Sequence, residues 1–392
     1  MKSDRAACLA LYNRASTDYY AGSRFIGGVA AMRISFKTLV ACASLSFMAL
    51  SQPATAQEPV HAYFGASTLT IGGGTAVIDL PDVEFTTRFN ENTGTFASKL
   101  KDSDDIFDEI GFSLNAAFAT PIGGNKQAVL SGFYADVSDD GNETCASPSS
   151  GNATCNWVNI NGSGTNGNIA DSGLSTVVNS DRDVKFWGAS LESRWLAGPA
   201  MMGVTQAPSP KYFSIGADIR GIDQELSLRT TNPGNAVVST YNEDLDTTYY
   251  GAFVSYGGDY KPFLFRGLWD SWGLQSSFQA RAGVYYADAD YSGRMAGVVT
   301  GALNLSESDV AFIGGLSLVT SKQISRRASL SLRSDYEYYS WVPDMAYANN
   351  APGNFTGPNT RTSIDDDDAF SMRTSLRLTI KLGPDSVMEN YK

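Results

Sequence analysis

The chain has 392 residues, with 29 basic and 41 acidic side chains, one histidine and four cysteines. A formal charge of −12 leaves no basic surface to neutralise phosphates, so nucleic acid is not an expected partner. No run of 18 apolar residues follows Gln57, so a transmembrane helix is not expected there either.

Met32-Arg33-Ile34-Ser35-Phe36-Lys37 is a short basic start, and Thr38 to Leu50 is an apolar run. Ala54-Thr55-Ala56 before Gln57 is a small-residue cleavage site, so 32–56 reads as a secretory signal peptide. Residues 1–31 fit no part of it and are either an over-early start or an extension. Leu39-Val40-Ala41-Cys42 matches a lipoprotein box, but too few apolar residues separate it from Lys37. Residues 1–56 hold six basic and two acidic side chains; without them 23 basic and 39 acidic groups remain, a charge of −16. Cys8 and Cys42 lie in that segment. Cys145 and Cys155 share one polar loop and read as a disulfide in an exported chain.

From there on, short alternating runs dominate. Val60 to Ile71 is the expected first strand, and Gly72-Gly73-Gly74 is expected to be loop. Ile110 to Phe118 sets Ile110, Phe112, Leu114, Ala116 and Phe118 against Gly111, Ser113, Asn115 and Ala117. The turn Thr120 to Asn125 returns to Ala128–Val137. Val184 to Leu196, Tyr212 to Leu228, Thr247 to Tyr260, Trp272 to Tyr286, Val310 to Thr320 and Ala328 to Tyr339 follow. In Tyr212–Leu228 the apolar parity slips near Gly221, which predicts a bulge. Phe370 to Leu382 alternates without error: Phe370, Met372, Leu376, Leu378, Ile380 and Leu382 oppose Ser371, Arg373, Ser375, Arg377, Thr379 and Lys381.

These are ten strands. The connections 72–108, 138–181, 230–246, 292–308 and 342–366 are long and polar; those at 119–126, 197–210, 261–271 and 321–327 are shorter. Val77, Ile78, Leu80, Val83 and Phe85 within 72–108 leave room for one more hairpin and twelve strands. Aromatics gather at the strand ends. Phe263, Phe265, Trp269 and Trp272 surround one short turn, and Trp195 and Tyr212 flank another. Tyr336, Tyr338, Tyr339 and Trp341 mark the opposite rim.

The signal, the ten alternating segments, the aromatic ends and the alternating connection lengths resemble a bacterial outer-membrane β-barrel of the small OmpA/porin-like kind, over about 57–382. The resemblance implies an all-β, transmembrane, antiparallel up-and-down barrel with long external loops. It also implies that the apolar faces meet lipid and lipopolysaccharide, and that assembly machinery inserts the chain in a Gram-negative outer membrane. Such barrels usually end on an aromatic residue. This last strand ends at Lys381-Leu382, and 383–392 would trail as a periplasmic tail.

The polar parity collects Glu192, Arg194, Asp218, Arg220, Arg281, Arg333, Asp335, Glu337, Arg373 and Arg377, which the barrel reading turns into the lumen. Two readings follow. A paired network could fill the bore and leave a structural or surface role, of adhesion or antigen type, to the loops. Alternatively a charged constriction could form a narrow, porin-like channel for small polar solutes. An external ligand would meet the loops.

No cofactor or metal is expected. The run Asp365 to Asp368 lacks the spaced ligand order of a calcium loop. No G-x-S-x-G, H-E-x-x-H or phosphate-loop pattern occurs. Ten-stranded outer-membrane proteases and lipid-modifying barrels lean on a histidine base, whereas here His61 stands alone at the start of the first strand. The chain is therefore expected not to be an enzyme.

Overall fold

In a computed structural model, the described residues are 66–81, 86–90, 95–100, 110–123, 125–145, 153–157, 176–197, 211–231, 237–260, 266–297, 300–346 and 362–383. The signal peptide, its cleavage site, His61 and residues 384–392 lie outside them. So do the side chains of Cys145 and Cys155.

The strands are β1 (Ser67–Asp79), β2 (Thr86–Asn90), β3 (Thr95–Leu100), β4 (Ile110–Gly123), β5 (Lys126–Cys145), β6 (Ala153–Trp157), β7 (Thr176–Ala197), β8 (Lys211–Thr231), β9 (Val237–Tyr260), β10 (Leu274–Gly297), β11 (Gly301–Ser325), β12 (Ala328–Ala346) and β13 (Ser363–Leu382). One short helix, α1 (Arg266–Trp272), precedes β10. Ten strands close a barrel in the order β1-β13-β12-β11-β10-β9-β8-β7-β5-β4. Every neighbouring pair is antiparallel, and β1 closes the ring against both β13 and β4. Of the residues that suggested an extra hairpin in 72–108, Val77 and Ile78 belong to β1, and Val83 and Phe85 lie outside the described residues; β2 and β3 pair further along, and with β6 they form a separate three-stranded sheet. The barrel therefore has ten strands, not twelve.

The strands divide into two tiers whose faces are inverted. On β10, Phe278, Ala280, Ala282, Val284 and Tyr286 face outward while Gln275, Ser277, Gln279 and Arg281 face the lumen. Beyond Tyr286, Asp288 and Asp290 are outward and exposed, while Ala287, Ala289, Tyr291 and Met295 are buried inside. Strand β9 repeats this in reverse: Tyr250 and Val254 are exposed below, Asp244 and Asp246 above. Its inner parity runs from Ser255 and Phe253 to Tyr249, Leu245 and Tyr241, all buried. Strand β8 changes between Arg220 and Ile222. The physical cause is a change of surroundings at constant pleat: a strand in lipid needs an apolar outside, and one in water needs an apolar inside.

The apolar outer band on β10, Leu274 to Tyr286, spans 13 residues. At about 3.3 Å per residue and a tilt near 40° it is about 33 Å tall, the thickness of a bilayer core. Leu69, Leu114, Leu130, Leu191, Ile215, Val310, Leu316 and Leu376, each 39–62% exposed, extend that band round the ring. Leaving so many large apolar side chains against water would forfeit about 1.5–3 kcal/mol apiece, so the outer band is suited to an apolar surround.

Several sequence expectations change. Among the described residues the first strand begins at Ser67 and runs straight through the glycine triplet, while the expected start at Val60 lies outside them. A Cβ on Gly74 would collide with the Thr374 carbonyl oxygen of β13, so the triplet permits close wall-to-wall approach instead of forming a loop. No bulge interrupts β8 at Gly221, since both of its ladders run unbroken from Lys211 to Thr230. The apparent slip is the inversion itself, and the bare Gly221 backbone seats the Trp187 indole. The expected loops 230–246 and 292–308 are mostly strand, because β9 starts at Val237, β10 ends at Gly297 and β11 starts at Gly301. The loop 138–181 gives up its ends to β5 and β7, and β13 starts at Ser363 and takes in Asp365 to Asp368. Acidic residues alternating with buried apolar ones had hidden these strand extensions.

Candidate functional site

The ten charged residues singled out from the sequence all line one internal cavity of about 320 Å³ in the lower tier. Strand pleat explains this, since each sits on the inward parity of β7, β8, β10, β12 or β13. The cavity runs from Thr68, Gln275 and Ser329, near the short-turn end, up to Arg220 and Phe133.

At its top the charges bridge the bore. Arg220 of β8 donates from Nε to Asp218 Oδ2 at 2.8 Å and pairs through Nη1 with Glu337 Oε1 of β12 at 2.9 Å. These strands are four apart in a ring of ten, so the pair crosses the lumen. Arg373 Nη2 of β13 donates to Glu337 Oε2 at 2.7 Å, and Arg281 of β10 pairs with Asp218. Two aromatic rings hold the outer guanidinium faces: Arg281 lies 3.6 Å from the Phe253 centroid and Arg373 3.5 Å from that of Phe133.

Lower down, Arg194 Nη2 donates to Glu192 Oε2 at 2.8 Å, and Ser255 Oγ and Gln279 Nε2 each donate to Glu192 Oε1 at 3.2 Å. On the facing wall Arg333 Nε donates to Asp335 Oδ1 at 2.6 Å, and Ser317 Oγ donates to the same oxygen at 2.5 Å. Arg377 approaches Asp335 Oδ2 only to 3.6 Å.

Above the ionic layer the bore is shut. Arg220 Nη1 donates to the Tyr339 hydroxyl at 2.8 Å. The Tyr339 ring packs against Phe186 and Tyr249, each at 5.7 Å between centroids. Tyr249 in turn donates to the Trp341 carbonyl oxygen at 3.1 Å. Inward residues at this level, from Ala76 and Ile78 round through Ala135, Ile222, Tyr285, Ile313 and Ala369, are all at most 5% exposed. Together these buried side chains fill the bore at this level among the described residues. Sequence reasoning placed Tyr339 and Trp341 on the outer rim; the structure buries both, leaving Tyr336 and Tyr338 on the outside. Tyr212, expected at an inner turn's edge, instead lines the cavity with Arg194 stacked 5.1 Å over its ring.

The plug residues went unrecognised, although a signal existed. Phe133-Tyr134, Phe186-Trp187, Tyr249-Tyr250, Tyr285-Tyr286 and Tyr338-Tyr339 are adjacent aromatic pairs. In each, one ring belongs to the plug or the cavity roof and its neighbour to the outer rim. A consecutive aromatic pair is what a strand needs where its faces exchange roles.

The water-exposed tier carries crowded carboxylates. Partial burial, then the neighbouring Asp223, Asp244, Glu225 and Asp290, raises the Asp246 carboxyl above its ordinary value. Asp183 is raised by burial and by Asp181, Glu225 and Asp136. A raised folded-state value means that ionisation costs stability, and this cost disappears as pH falls through that value towards the usual carboxylate range near pH ~4. Amide exchange in the upper halves of β7 and β9 is therefore expected to slow as pH falls from neutral towards ~4, after correction for intrinsic rates; faster corrected exchange at the acid end would contradict the repulsion.

No family model matches the chain. No curated protein matches it either. Solved structures do resemble it. The outer membrane protease OmpT from Escherichia coli has a TM-score of 0.43 at 8% identity, over 81% of this chain and 97% of that one. The translocator domain of the autotransporter NalP from Neisseria meningitidis has 0.34 at 9%, over 90% and 100%. A Pseudomonas aeruginosa FadL homologue has 0.23 at 8%, over 84% and 95%. With a protease among these neighbours, the expectation that the chain is not an enzyme is not upheld, and at 8% identity the likeness assigns neither activity nor protease residue here. These likenesses do not bear out the narrower OmpA/porin-like grouping; what the strand pairing shows is an antiparallel, closed barrel of ten strands.

Proposed function

We propose that this barrel does not conduct, and that it serves as a rigid membrane anchor displaying an acidic, water-exposed tier at the cell surface. The observation carrying this reading is the closed bore: an ion-pair layer backed by buried Phe186, Tyr249, Tyr285 and Tyr339. A channel would have to break both, whereas a scaffold benefits from them, because cross-bore ties stiffen strands that rise far above the membrane. The long strands β9, β10 and β11, of 24, 24 and 25 residues, then act as the stalk of the displayed surface. Export through the 32–56 signal, insertion by barrel-assembly machinery, contact with lipopolysaccharide and engagement of an external ligand by the connecting segments belong to the same proposal. So does the Cys145–Cys155 disulfide.

The test is electrical. Purified barrel in a planar bilayer is expected to give no steady conductance. The Phe186→Ala, Tyr339→Ala pair, which removes two plug rings, is expected to produce ohmic steps. Steady wild-type channels that respond to Arg281→Ala would favour the narrow-channel alternative and end the scaffold reading.

A further inference from the structure

The cavity beneath the plug has more cation than its own anions absorb. Six guanidiniums line it, from Arg194, Arg220, Arg281, Arg333, Arg373 and Arg377. The facing carboxylates are Glu192, Asp218, Asp259, Asp335 and Glu337. The excess is concentrated on one wall. Along β12 and β13 the ladder sets Asp335 opposite Arg373, Arg333 opposite Ser375 and Ser331 opposite Arg377. Three arginines thus occupy a patch in which Asp335 is the central carboxylate. Arg333 takes its Oδ1 at 2.6 Å, Arg373 is turned to Glu337, and Arg377 stands at 3.6 Å, outside hydrogen-bond range, while its Nε donates to the Ser375 hydroxyl at 3.1 Å. Among the described residues the Nε of Arg373 is buried with no hydrogen-bond partner, as are those of Arg194 and Arg281. Adjacent like charges and orphaned donors in a low-dielectric wall are costly unless an acceptor completes them.

We propose that this vestibule is a binding site for a small oxyanion, phosphate or carboxylate, held on the β12–β13 wall by Arg333 and Arg377. Guanidinium forks suit such ligands because two parallel donors match two oxygens of a phosphate or carboxylate. A cavity of about 320 Å³ is at the lower end of the range for small-molecule sites and admits a compact organic anion as well as the inorganic ion. Ser329, Ser331 and Thr379, which also line the cavity, supply neutral donors below the arginines. Because the plug closes the upper end, the ligand enters and leaves from the short-turn side and is held rather than passed. Binding at the arginines is independent of the surface role proposed above; conductance in a bilayer would open the upper end and end the one-sided retention, and would leave the binding itself to the titration below.

The test is calorimetric titration of the full barrel in zwitterionic detergent, free of lipid and phosphate, with inorganic phosphate and with citrate as probes and chloride as the control. Saturable binding of at least one probe is expected, weakened at least tenfold in the Arg333→Gln, Arg377→Gln pair and unchanged in Lys185→Gln, which lies on the outer face of the upper tier. Heat-modifiable migration checks that each variant is folded. Arg377→Lys, which keeps the charge and loses the fork, is expected to fold and to bind several-fold more weakly. The proposal is overturned if neither probe binds the wild type saturably, if chloride competes as well as phosphate, or if the glutamine pair or Arg377→Lys, once folded, binds like the wild type.

Discussion

Replacing Arg220 with alanine is expected to destabilise the barrel by about 3–5 kcal/mol, the usual cost of removing one partner from a buried ion cluster. The side chain is 2% exposed and contacts two carboxylates and the Tyr339 hydroxyl at once. Its loss leaves Asp218 to Arg281, and Glu337 to Arg373 with the Tyr339 hydroxyl at 3.5 Å, and among the described residues one Asp218 oxygen already has no hydrogen-bond partner. By contrast, Lys185→Ala removes a pair with Glu225 that is just as short, 2.6 Å, but has side chains 38% and 51% exposed. Solvent and salt screen that pair, so its loss is expected to cost under about 1 kcal/mol. Urea unfolding in detergent, followed by tryptophan emission, gives both numbers from one assay. Adding Glu337→Gln to Arg220→Ala should recover part of the loss, since it removes a carboxylate the arginine no longer neutralises. Equal small losses for Arg220→Ala and Lys185→Ala would mean that water reaches the cluster, and the closed bore would then be wrong.

The lower tier was readable in the sequence and the upper tier was not, for one reason. Reading alternation requires knowing what lies outside the strand. Phe370 to Leu382 and Ile110 to Phe118 lie wholly in the lipid band, so their polar parity gave the lumen directly, with Arg373 and Arg377 in place. Tyr212 to Leu228 crosses the membrane surface, and its change of apolar parity at Gly221 looked like an extra residue. It was a change of solvent. Above that level, Asp244 and Asp246 alternating with Leu245 and Tyr249 on β9 resembled a polar loop. The pairing of Arg220 with Glu337, 117 positions later, depends on ring closure and has no local signature.

The inversion itself predicts that one substitution type has opposite costs along a single strand. On β9, Val254→Lys would place a charge in the lipid-facing band, where it is expected to cost about 2–4 kcal/mol. Eight residues away and of the same parity, Asp246→Lys exchanges one exposed charge for another. It is expected to be neutral or slightly stabilising, because it relieves crowding with Asp223, Asp244 and Asp290. Leu245→Lys, one residue further along and 4% exposed inside the upper core, is expected to cost more than about 3 kcal/mol, as an unpaired charge does in any water-soluble protein. A uniform membrane barrel would tolerate Leu245→Lys as a lumen change, and a uniform soluble barrel would tolerate Val254→Lys as a surface change. Only a strand that exchanges its faces near Tyr249-Tyr250 rejects both and accepts Asp246→Lys. Unfolding midpoints for the three variants in one detergent therefore discriminate among the three architectures, and tolerance of Val254→Lys would remove the lipid from this account altogether.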